Sequence, residues 1–483
     1  MNKTIRFTAI FSLILTAILL VNLTVVQAFS EDKYAKNPKN MREFYQLQTI
    51  ARGQIYAGNT VLAQSVPDGN GDGGEDKTYS RIYPTQSPAF GPVTGYLSSQ
   101  FGASQLESSQ NEILNGTDDS LLKQNWLDKL TGEQPDGANV EVTIDPQLQQ
   151  LAYDQLVAPG YQGSAVALQP STGRVLAMSS SPSFDANSVV GDPNAEENWA
   201  ALQEADGAPL LNHATQETLP PGSIFKIITT AAGLNNGFTP SSTLTGAASI
   251  TLPNTTTQLT NYDKQACGGA DSVTLQTAFA LSCNTAFVEM SEGIGADELR
   301  KYAEAFGVGE NYDLGVDTSP GNLGELPDAA ATAQSVIGQR DVTMSALQAA
   351  IMAGTVANEG KRMEPRLIKR ITDSQMQEVR EIKPKDATEA ITPETAAILR
   401  DLMFASERAT SGYDGNSFAS KTGTAEHGDG LPPHTWYVAF DPDRDIAVAV
   451  VVKDGGNLGQ SATGGQVAAP IGRAMLQAYG GEQ

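Results

Sequence analysis

The sequence predicts an α+β fold, an antiparallel sheet sandwiched by helices, with a smaller N-terminal domain and one apolar anchor ahead of it. Three observations point there. Two groups of hairpin-like strand segments flank a long middle region of helical periodicity. A Gly/Pro/Asp-rich loop, Gly132 to Gly137, separates this body from an upstream segment of short mixed patterns. Phe7 to Phe29 carries no charged residue.

That uncharged run spans roughly a bilayer core at a rise of about 1.5 Å per residue. Lys3 and Arg6 precede it, and Glu31 and Asp32 follow it. The positive-inside rule then keeps residues 1–6 as a cytoplasmic tail, makes 7–29 the anchor and exports the rest. The competing reading is a cleaved signal peptide, with Val26-Gln27-Ala28 as the cleavage site, but the run is longer than the usual apolar core of such peptides.

Residues 30–137 form the expected N-terminal domain. Gln46 to Ser65 reads as strand, turn, strand; Pro67 to Lys77 reads as a surface loop; Leu97 to Leu130 has helical tendency with a turn at Asn115-Gly116. Residues 138–483 form the larger domain. Val140 to Ile144 alternates like a strand, and Asp145-Pro146 opens a helix. Ser164–Leu168 and Arg174–Met178 flank a turn and predict a hairpin. A helix is expected from Pro221 through Leu234, and further helices over 275–290, 296–306, 344–357 and 393–405. Strands at Ser417–Thr422, Thr435–Phe440 and Ile446–Val452, then a helix from Ala468 to Leu476, complete the chain.

Composition narrows the function. The 483 residues carry 31 Lys+Arg against 55 Asp+Glu, a net charge of −24, without the basic clusters that nucleic-acid binding needs. His213, His427 and His434 show no metal-ligand spacing, so neither a metal nor a cofactor is expected. Cys267 and Cys283 are too few for a disulfide framework, yet one bridge is permitted in an exported domain.

Three short clusters carry chemistry. Ser223 and Lys226 lie three apart at a helix start, so they share a face. A serine is a weak nucleophile until a base takes its proton, and a desolvated lysine can be that base. Ser282-Cys283-Asn284 follows on an apolar stretch, where ordinary capping is the plain alternative. Lys421-Thr422-Gly423-Thr424 ends a strand; its donors suit an anionic group, and its glycine allows close backbone approach. Each cluster is weak alone, and the ordered set is strong.

In that order the clusters resemble the S-x-x-K, S-x-N and K-T-G signature of penicillin-binding proteins and serine β-lactamases. The likeness extends to Pro220-Pro221-Gly222 before the serine, Ile337-Gly338-Gln339, Ala357 to Gly360, and His434 to Ala439. Arg52-Gly53-Gln54-Ile55 resembles the R-G-x-I opening of class B penicillin-binding proteins, and Lys421 to Gly428 is most similar to their actinobacterial A-type members. His213 stands where relatives often have Arg, and Leu219 where they often have Tyr.

The resemblance implies a monofunctional D,D-transpeptidase that crosslinks peptidoglycan stem peptides and is acylated by β-lactam antibiotics. Residues 30–137 would be its pedestal, a domain of the dimerisation type. Ser223 would be the nucleophile, Lys226 its base and Ser282 a proton relay. Asn284 would bind the donor peptide, Lys421 would supply positive potential, and Thr422, Gly423 and Thr424 would take the substrate carboxylate. A Cys267–Cys283 bridge would pin the loop bearing Ser282. A glycosyltransferase domain has no room in 30–137, so a membrane-embedded glycosyltransferase of the shape or division type is expected as partner. A D,D-carboxypeptidase or β-lactamase is the first rival, although no deacylating base announces itself; a non-catalytic scaffold is the second.

Overall fold

Ile446–Val452 is seven apolar residues without interruption, and it forms the centre of the main sheet. The computed structural model describes residues 3–29, 48–68, 78–121, 136–428 and 430–480. The sheet runs Ala419–Ala425, His434–Asp441, Ile446–Val452, Gly163–Leu168, Val175–Ser181, every neighbour antiparallel. Successive side chains of a strand point to opposite faces, which explains why the central strand must be apolar throughout. Ile446, Val448 and Val450 pack with Leu148, Ile471 and Met475, whereas Ala447, Ala449 and Val451 belong to the core containing Ala349 and Ala353. Helices Pro146–Val157 and Gly464–Ala478 therefore cover one face, and Ala346–Ala357 covers the other.

Caps set the helix starts. Asp145 accepts from the amides of Gln147 and Leu148, with Pro146 in the first turn. Ser345 and Gln348 form a reciprocal capping box. The stretch expected as one helix over 275–290 is instead two, Leu275–Ala280 and Asn284–Ala305, broken where Ser282 takes φ +61°. The second runs through the expected 296–306 segment with a kink at Gly295.

A second sheet orders Glu378–Glu381, Ile368–Thr372, Asn139–Val142, Ile55–Ala57, Thr60–Pro67 and Tyr79–Ile82. Ile55–Ala57 pairs parallel with Asn139–Val142, so this sheet joins chain from both sides of residue 137. Beside it Glu107 is fully buried between two guanidinium groups, 3.0 Å from Arg52 Nε and 2.6 Å from Arg81 Nε. Upstream, Lys3–Phe29 is one helix whose segment Ile5–Val25, of mean hydropathy 2.3, is long and apolar enough to cross a membrane. Parts of four expected segments lie outside the described residues: 46–47, 69–77, 122–130 and 132–135.

Candidate active site

The expected helix at Pro221 opens with a tighter 3-10 turn, Gly222–Phe225, before Lys226–Asn235 continues as α-helix. Positions i and i+3 eclipse in such a turn, which sets Ser223 and Lys226 on one side. Gly222 has φ +53°, and a Cβ there would sit 2.9 Å from the Thr424 carbonyl. Only glycine lets the serine turn approach the K-T-G-T strand this closely. Its amide donates to Gly338 at 2.9 Å, and the Trp436 indole donates to Pro220 at 2.8 Å, fixing the turn from both flanks.

Lys226 is fully buried. Its Nζ lies 2.8 Å from the Ser282 carbonyl, 2.8 Å from Asn284 Oδ1 and 3.3 Å from Ser282 Oγ. Lys421, also fully buried, donates to Ser282 Oγ at 2.9 Å and to the Thr422 carbonyl at 3.1 Å. The left-handed conformation of Ser282 turns both its carbonyl and its hydroxyl toward these lysines. Asn284 completes its anchorage by donating to the Thr260 carbonyl at 3.1 Å.

No carboxylate pairs with either ammonium among the described residues. Burial, and then repulsion from Lys421, push Lys226 well below the usual lysine range. Burial alone lowers Lys421 to about 7. Phe287 lies 5.1 Å from Lys226 Nζ and Phe279 lies 5.8 Å from Lys421 Nζ, so aromatic walls form part of that dry environment. Neither ring carries a motif, and only the apolar run around Ser282 hinted at them.

Thr422 and Thr424 alternate onto one side of their strand and stay half-buried. Gly423 between them is obligatory in size, since a Cβ would lie 2.7 Å from the Pro221 carbonyl. Cys267 and Cys283 are joined as a disulfide, their Cα atoms 5.8 Å apart. The structure thus brings Ser223, Lys226, Ser282, Asn284 and the 421–424 strand to one place. His213 lies apart from it, buried with Nδ1 2.9 Å from Glu217, and no sequence signal marked that pair. The Ser223 hydroxyl makes no hydrogen bond among the described residues. A buried lysine beside a serine, a hydroxyl placed between two lysines and paired threonines suit acyl transfer from a substrate with a terminal carboxylate.

Comparison with known proteins agrees with this chemistry. Residues 163–477 match the penicillin binding protein transpeptidase domain, and residues 52–140 match the penicillin binding protein A dimerisation domain. The chain is 42% identical to the peptidoglycan D,D-transpeptidase PbpA of Mycolicibacterium smegmatis and 39% identical to that of Mycobacterium tuberculosis, with 99% of both chains covered in each case. It superposes on penicillin-binding protein A from M. tuberculosis in its ceftriaxone acyl-enzyme complex with a TM-score of 0.84 and 40% identity, covering 90% of this chain and 99% of the other. The penicillin G acyl-enzyme of the same protein gives a TM-score of 0.83 at 40% identity, with coverage of 89% and 99%.

Proposed function

The chain belongs to the penicillin-binding protein transpeptidase family, and from that premise we propose how its residues act as a serine-type peptidoglycan D,D-transpeptidase inhibited by β-lactams. The observation that carries the reading is the placement of Ser282 Oγ between Lys226 and Lys421.

A neutral amine has two hydrogens and one lone pair. With those hydrogens on the Ser282 carbonyl and Asn284 Oδ1, the two shortest contacts of Lys226, its lone pair is free for a hydroxyl. Ser223 gives its proton to Lys226 as it attacks the penultimate carbonyl of a D-Ala-D-Ala stem. Ser282, held by charged Lys421, passes its proton to the departing D-Ala amine and regains one from the protonated Lys226, which returns to the neutral amine. Thr422 and Thr424 hold the terminal carboxylate, and the amides of Ser223 and Thr424 stabilise the oxyanion. Asn284 positions Lys226 first, and its second amide hydrogen serves the donor peptide. An amine of a neighbouring stem then attacks the acyl carbon; the Ser223 ester bond breaks, Ser223 regains the proton that the amine gives up, and the new amide is the crosslink.

The anchor at 7–29 places 30–483 outside the plasma membrane, with 30–137 as pedestal and 138–483 as catalytic domain. A membrane-embedded glycosyltransferase supplies the glycan strands and docks on the anchor and pedestal. Incubation with uncrosslinked strands bearing D-Ala-D-Ala stems tests the reaction. Crosslinked dimers are expected with D-Ala release, and Ser223→Ala abolishes both. Release of D-Ala without dimers supports a carboxypeptidase, and unaltered crosslinking in cells carrying only Ser223→Ala supports a scaffold.

A further inference from the structure

We propose that Glu407 is a positioning residue for the acyl-transfer site: by holding Ser420 behind the main sheet, it sets where Lys421 and Thr422 stand. The inference rests on the role given above to Lys421. Glu407 lies fully buried in the last turn of the helix Pro393–Ala409. Negative charge is disfavoured at that end of a helix, where the carbonyl ends of the peptide dipoles gather. Burying a carboxylate there costs more again unless partners surround it. Four donors do so. Arg473 Nε donates to Oε1 at 2.7 Å and Asn416 Nδ2 donates to it at 3.1 Å. The Tyr437 hydroxyl donates to Oε2 at 3.0 Å, and the Ser420 hydroxyl donates to the same oxygen. The acceptor capacity of the carboxylate is then filled.

These donors come from the elements that back the K-T-G-T strand. Ser420 precedes Lys421 in Ala419–Ala425, Tyr437 belongs to the neighbouring strand His434–Asp441, and Arg473 belongs to the covering helix Gly464–Ala478. Successive side chains of a strand alternate, so Ser420 faces Glu407 and that helix while Lys421 points to the other side, toward Ser282. The same helix presses on the strand at its first turn, where a Cβ on Gly464 would lie 2.6 Å from the Gly423 carbonyl. Lys421 and Thr422 are therefore clamped between two fixed points, Ser420 on Glu407 and Gly423 on the helix start. Through Arg473, Glu407 also ties that helix to the strand.

The clamp matters because Lys421 works at a hydrogen-bond distance, 2.9 Å from Ser282 Oγ. A displacement of about 1 Å at such a contact can cost about 10²-fold in rate. Glu407 acts on Lys421 by place and not by charge, since burial is what lowers Lys421 to about 7. A looser strand admits water to the ammonium, and its pKa then climbs toward the ordinary lysine value.

Penicillin acylation by the full-length protein in detergent, followed against pH by stopped flow, tests the proposal. Ser420→Ala cuts the link to the strand and leaves Glu407 its other donors, so the fold should hold, as thermal melting checks. Its acylation efficiency should fall about tenfold or more, and its alkaline limb should move to higher pH than the parent's. Glu407→Gln should shift the limb in the same direction, with a larger loss of stability because Arg473 loses its countercharge. Asn416→Ala removes a donor that lies in the loop before the strand; it should lower the melting temperature and leave the limb in place. A parent-like rate and pH profile in Ser420→Ala, or an equal shift of the limb in Asn416→Ala, would overturn the proposal. A parent protein that forms no penicillin adduct would instead overturn the reading of the site on which it rests.

Discussion

Lys421 Nζ donates to Ser282 Oγ at 2.9 Å, while Lys226 Nζ stands 3.3 Å from the same oxygen. One hydroxyl therefore couples two buried amines that lack carboxylate partners among the described residues. Two ammonium groups sharing a dry pocket repel each other, so the arrangement favours one charged and one neutral lysine.

Lys226→Ala removes the amine without touching Ser223. Penicillin acylation should slow by about 10²- to 10⁴-fold, the usual range for loss of a general base. Stopped-flow acylation alongside circular dichroism checks this; a loss below tenfold would move the base role elsewhere.

The acylation efficiency kcat/KM should follow a bell in pH. As pH falls, Lys226 takes up a proton and ceases to be a base. Because burial and Lys421 hold its pKa well below the ordinary value, the acid limb lies far under the usual lysine range. As pH rises through about 7, Lys421 loses its charge and the alkaline limb descends. The limbs belong to the coupled pair rather than to single residues. In Lys421→Arg the cation persists at all these values, so the alkaline limb should vanish even where the overall rate is lower.

The Cys267–Cys283 bridge closes a loop of sequence separation 16 next to Ser282. Removing it through paired Cys267→Ser and Cys283→Ser should cost about 3 kcal/mol in the chain-entropy account. Acylation should slow too, because Cys283 lies between Ser282 and Asn284. Thermal melting and acylation rates of the double variant measure both effects.

Glu107→Gln leaves two buried guanidinium groups facing a neutral amide. Breaking a buried pair in this way typically costs about 3–5 kcal/mol. Residues 48–68 and 78–121 should therefore lose protection earlier in denaturant, read by hydrogen exchange. Exchange around Lys226 and Lys421 should stay unchanged, since Glu107 does not touch them.

Local chemistry was legible in the sequence. The apolar run 446–452, the hairpin around Gly173 and the capped helix at Pro146 follow from period and turn residues alone. The three motifs marked the residues that meet in the site. Long-range pairing was less legible. Nothing local ties Ile55 to Val140, or sets Glu107 between Arg52 and Arg81. The break at Ser282 was hidden because Ala278 to Phe287 keeps an apolar helical look, and tertiary demand from two lysines overrides that propensity.

The central claim is that Ser223 is the acylated nucleophile served by Lys226. Its most direct test is peptide mass mapping after incubation with a fluorescent penicillin, with adduct lifetime followed in parallel. The account predicts a long-lived adduct on the peptide containing Ser223, absent from Ser223→Ala. An adduct on another serine, or rapid turnover of penicillin without a stable adduct, would contradict it.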